Sequence, residues 1–145
     1  MRPEARPEQP YTISEVLDRV EQHFLIENNP RCVDSENPLR CIYGKTGCAV
    51  GCLLTKEDAA TLDSLGYFSS DHLFKIFDNN FDNNFGSNGH LSQTEINMIH
   101  SILESYFSED RNLRDLLDRL QRAHDSARTL ESLKNNLMHV IEDSR

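Results

Sequence analysis

The sequence predicts a mainly α-helical chain with one small β-hairpin, an α+β arrangement in a single compact helical domain. Three observations lead there. Apolar residues recur three and four positions apart in most segments of the chain. Two capping boxes, Thr12 with Glu15 and Ser92 with Glu95, open two of those segments. Two short apolar runs flank a Gly-containing turn between residues 39 and 54. A length of 145 residues suits one domain, and a chain of that size buries enough surface to fold without a staple.

Each element follows in order. Residues 1–11 are charged and Pro-rich and read as a disordered arm. From residue 12 to the C-terminus the chain reads as one domain. Thr12 caps a helix presenting Ile13, Val16, Leu17, Val20, Phe24 and Leu25, which should end near Asn28, Asn29 and Pro30. Residues 30–38 hold two prolines and form a loop. The hairpin at about 39–54 comes next. If Tyr43 pairs with Cys48, then Leu39, Cys41, Tyr43, Cys48, Val50, Cys52 and Leu54 share one apolar face, which should lie on the core. Thr55 caps a short helix that Gly66 stops. A second short helix carries Leu73, Phe74, Ile76 and Phe77, and the Asn-rich stretch at about 78–91 is a loop.

After Ser92 a helix presents Ile96, Ile99, Ile102, Leu103, Tyr106 and Phe107. Ser108 allows a break. The next helix carries Leu113, Leu116, Leu117, Leu120 and Ala123, with acid-first pairs Asp110/Arg114, Asp115/Arg119 and Asp118/Arg122 on its outer face. A last helix from about Leu130 turns Leu133, Leu137, Val140 and Ile141 inward.

The formal net charge is −9, and residues 55–107 hold 8 acids against 2 bases. That balance argues against direct nucleic-acid binding, which needs cations to displace counterions. It favours a protein partner met through an acidic surface. No apolar run approaches the ~18 residues of a membrane helix. The first ten residues have no apolar core of the secretory kind. A cytoplasmic protein with reduced thiols is the expectation.

Four thiols, Cys32, Cys41, Cys48 and Cys52, fall within 21 residues with C-x8-C-x6-C-x3-C spacing. They are the candidate zinc ligands, because the hairpin register sets Cys41 diagonal to Cys48 and Cys52 while Cys32 swings in from the loop. The competing reading is buried thiols in the core, supported by the apolar company of Tyr43, Val50 and Leu54. No histidine stands at a spacing that implies contact with a thiol nucleophile. Gly44-Lys45-Thr46 lacks the glycine of a phosphate loop, since Leu39 occupies that position. With Glu95 as the last ligand of a calcium hand, Asn84 and Gly86 fall where carboxylates belong, so a calcium loop would be weak.

The stretches Cys41-x-Tyr43, Cys48-Ala49-Val50-Gly51-Cys52-Leu53-Leu54 and Leu120-Gln121-Arg122-Ala123-His124-Asp125 resemble a family of short proteins found largely in tailed phages and prophages. Its pattern is a Cys-x-Tyr strand, a turn, a Cys-Ala-Ile/Val-Gly-Cys-Leu strand and a later Leu-Gln-x-x-His-Asp element. This chain departs from it at Thr55-Lys56, where the family tends to have Pro-Asp, and in the Asn-rich insertion. The resemblance implies a phage-type, intracellular origin and no particular chemistry. It also suggests that His124 returns to the Cys41/Cys48 face, as a hydrogen-bonded structural residue or as a fourth zinc ligand. The function expected is that of a small protein-binding, regulatory protein without a resident cofactor. A zinc-supported or Cys/His-dependent enzyme and a calcium-loop protein are the alternatives. The sequence names no partner and no oligomeric state.

Overall fold

A computed structural model of the chain describes residues 3–29, 49–66 and 92–145. Among these residues the architecture is helical. Helix α1 spans Ile13–Val20 and continues without a break as a π-helix over Glu21–Ile26. A single 3-10 turn, Gly51–Leu53, precedes α2 (Lys56–Gly66). Then come α3 (Gln93–Tyr106), α4 (Arg111–Asp125) and α5 (Leu130–Ser144). Helix α4 packs on α5, the π-helical segment packs on α5, α1 on the 3-10 turn, and α2 on α3.

The starts of these helices are set locally. Thr12 Oγ1 accepts from Glu15 N–H at 3.2 Å while Glu15 Oε1 accepts from Thr12 N–H at 3.0 Å. Ser92 and Glu95 repeat the exchange at 3.1 and 2.9 Å. Thr55 Oγ1 accepts from Asp58 N–H at 3.2 Å, Asp110 accepts from Asn112 N–H at 2.8 Å, and Thr129 and Ser132 cap each other at 3.0 Å in both directions. Each satisfies a backbone donor that the first helical turn leaves over. The π-helix ends where Asn28 takes a φ of 58°, a left-handed conformation that Asn tolerates better than most residues.

One buried cluster runs through every element. It takes Val16, Leu17, Val20 and Phe24 from the first helix, Val50, Leu53 and Leu54 from the 3-10 turn and its flanks, and Leu62 from α2. Ile99, Leu103 and Tyr106 enter from α3, Leu117 and Leu120 from α4, and Leu133, Leu137 and Ile141 from α5. The members from the first helix and from α3, α4 and α5 match the inward positions that helical spacing assigns.

The β-hairpin is a correction. No strand occurs among the described residues, and its second arm, residues 49–54, is a turn followed by the 3-10 turn. Leu53 N–H donates to Val50 C=O and Leu54 N–H to Gly51 C=O, both at 3.1 Å. The physical reason lies in burial. Ala49, Val50, Gly51, Cys52, Leu53 and Leu54 are all buried, so there is no solvent face for a period of two to mark. A short run that is apolar throughout reads equally as a strand or as a buried helical turn. Among the described residues the fold class is therefore α rather than α+β. The first arm and turn of the expected hairpin, the helix around 73–77 and the Asn-rich loop lie outside the described residues.

Candidate functional site

The C-terminal end of α4 carries the His124-Asp125 pair that the sequence singled out. His124 is fully buried. Its Nδ1 lies 2.8 Å from Asp125 Oδ1, and that same oxygen accepts from Gln121 Nε2 at 2.8 Å. Gln121 Oε1 then accepts from Val50 N–H at 3.0 Å. A histidine that donates from Nδ1 to a carboxylate is fixed in one tautomer, with Nε2 the basic nitrogen of the neutral ring. Such orientation serves a metal ligand, a base or a structural histidine alike. The Phe24 ring lies between His124, 5.7 Å away in an edge-on arrangement, and the buried His23 at 4.6 Å.

This places the His124-Asp125 element against the Ala49–Leu54 segment, with Gln121 as the bridge. Of the four candidate zinc thiols, Cys52 is described. It is buried, and its thiol donates to Ala49 C=O at 3.3 Å. Cys32, Cys41 and Cys48 lie outside the described residues. Among the described residues, no cluster of three His, Cys, Asp or Glu side chains is arranged to hold a metal ion.

A second polar network, absent from the sequence reading, joins residues 3–11 to α2 and α3. Arg6 grips the Asp58 carboxylate with a two-pronged fork, Nε to Oδ2 and Nη2 to Oδ1, both at 2.8 Å. The Tyr106 hydroxyl donates to Asp58 Oδ2 and accepts from Thr55 N–H at 3.0 Å. Tyr11 N–H donates to Tyr106 C=O at 2.8 Å, and the Tyr11 hydroxyl to Leu53 C=O at 2.9 Å. The Arg6 guanidinium, helped by the Tyr106 hydrogen bond, holds the Asp58 carboxyl below its usual range against the opposing effect of burial. Burial, and then the bond to Asp58, raises the Tyr106 hydroxyl. Burial pushes the Tyr11 hydroxyl up to about 12. No local signal marks these contacts, because Arg6 and Asp58 stand 52 positions apart.

The third feature is on the surface. Along α5 and the π-helix, Ile26 is 58% exposed, Leu130 44% and Met138 40%. Two adjoining depressions of about 500 and 340 Å³ run beside them and share Met138. Leu130, Glu131, Lys134 and Asn135 line the first; Leu25, Ile26, Ile141, Glu21, Glu142 and Arg145 line the second. A sequence signal for this groove exists. Leu130 and Met138 are apolar positions of α5 outside the buried seam of Leu133, Leu137 and Ile141, so the apolar surface of α5 is wider than that seam requires. Among the described residues no helix is long and apolar enough to cross a membrane. The chain matches no family model, no curated protein and no solved structure.

Proposed function

We propose that the chain is a small protein-binding, regulatory protein that works by surface contact. One observation carries this reading: large apolar side chains stand exposed beside a groove on α5 and the π-helix, with carboxylates at its edge. Grouped apolar surface of this kind marks contact sites more often than single exposed hydrophobes do. The uneven charge, −9 overall, adds a preference for a basic partner. A phage or host macromolecule as that partner rests on the resemblance of the 41–54 and 120–125 stretches alone.

The test is a photo-cross-linking side chain placed at Met138 in cells making the protein, with Met98 as control. Met98 is similarly exposed, at 43%, but lies on α3 and lines neither depression. A discrete cross-linked species from position 138 and none from position 98 is the expected outcome. Equal labelling from both positions, or none from either, removes the reading.

A further inference from the structure

We infer that the groove beside Met138 receives one amphipathic α-helix of a partner protein, apolar on the docking face and lined with Lys or Arg on its flanks. The inference rests on the contact-surface reading above and adds the shape and charge of the occupant.

Shape comes first. The depressions lie along α5 and reach the neighbouring π-helix, and there is no strand among the described residues whose edge could recruit another strand. The second depression is a groove between the π-helix and α5, and the first continues it along the α5 face, a surface along which a helix can lie. Leu130 and Met138 are eight residues apart on α5, about 12 Å at the helical rise. A partner helix with apolar residues at i, i+4 and i+7 spans about 10.5 Å, close to that distance, and lays one end of its apolar row over Met138, the side chain common to both depressions.

Charge decides the flanks. Glu21, Glu131 and Glu142 line the groove. Arg145 is spent on two carboxylates, Glu21 among them, which leaves Glu131 and Glu142 against Lys134. Arg145 donates to Asp18 at 3.0 Å and to Glu21 at 2.9 Å, and Lys134 Nζ donates to Asn28 Oδ1 at 2.6 Å. The edge thus favours an incoming cation. The same charges disfavour a second copy of the chain, which would bring a further −9 and its own Glu21, Glu131 and Glu142 to the same face.

The experiment uses the full chain and two synthetic helix-forming 18-residue peptides with the same leucine face. One carries lysine on its flanks and the other glutamate, and fluorescence anisotropy reads binding. The lysine-flanked peptide should bind at least tenfold more tightly. Met138→Glu should weaken it at least tenfold and Met98→Glu should leave it unchanged, with helical circular dichroism confirming that both variants fold. The choice of Glu separates docking from unspecific attraction: an added carboxylate strengthens the latter. Equal affinity for the two peptides, or binding that survives Met138→Glu, overturns the inference. So does a wild-type dimer in sedimentation that Met138→Glu dissociates, since a second copy is then the occupant. If cross-linking at position 138 succeeds while the peptides fail in these ways, only the helix and its charge are wrong. If cross-linking fails as well, the contact surface itself falls.

Discussion

Asp58 is the residue on which the N-terminal segment depends. It meets Arg6 from residues 3–11, Tyr106 from α3 and Thr55 at its own helix start. Hydrogen bonds to a buried charged group are worth about 1.5–3 kcal/mol each, more than an exposed ion pair of the Arg122–Asp118 kind. Because the folded Asp58 carboxyl titrates below its ordinary value, its contribution has a definite pH window. It is fully present above about 3.9, the unfolded carboxyl value, and is lost as pH falls through the lower folded value. Asp58→Asn should therefore cost about 1.5–3 kcal/mol in urea unfolding at pH 7, and the gap from the wild type should close in strongly acid solution. A gap that persists unchanged at pH 2 would mean that the carboxylate charge is not what the site uses. None of this was legible in the sequence. Tyr106 was readable as an inward position of α3, but its hydroxyl partner lies 48 positions away.

At the scale of elements, legibility follows sequence distance. The capping boxes of α1 and α3 close over three residues, and both form as their spacing implies. The inward faces of α3, α4 and α5 follow from a period of 3.6 residues. The outer face of α4 was only partly readable. Asp118 and Arg122 pair at 3.0 Å, whereas Arg119 reaches Asp143 on α5 at 2.7 Å and Asp110 is the N-cap of α4. The 49–54 segment was misread as a strand because it is buried on all sides, and one of the bonds that hold it comes from a residue 71 positions away. Gln121 Oε1 takes the Val50 N–H in the interior, supplying the acceptor that a strand partner would have supplied. Gln121→Ala leaves that buried donor without its acceptor and should cost about 1–3 kcal/mol, read as a shift of the urea midpoint. Hydrogen exchange should show amides of the 49–54 segment losing protection before those of α5. Uniform loss across both would mean that Gln121 supports the whole core and not this segment in particular.

At the scale of the whole molecule, charge works against compactness and in favour of docking, and salt separates the two. The chain carries 24 acids against 15 bases, so folding gathers like charge that the extended chain keeps apart. Raising salt from about 0.01 M to about 0.1 M shortens the screening length from about 30 Å to about 10 Å. That relieves repulsion across the molecule. Arg6 and Asp58 are in direct contact and part-buried, and such a pair is screened much less. The exposed pairs of Arg119 and Arg145 weaken, but pairs of that kind are worth about 1 kcal/mol or less. The thermal midpoint at pH 7 should therefore rise over this salt step. At pH 5, near the sequence pI of about 5.0, the rise should vanish, because there is no net charge left to screen. A lysine-flanked helix in the Met138 groove responds in the opposite sense, losing affinity over the same step at pH 7. A midpoint that falls with salt would show that the exposed ion pairs outweigh the repulsion. An affinity that holds constant would show that the carboxylates at the groove edge do not meet the cations of the helix.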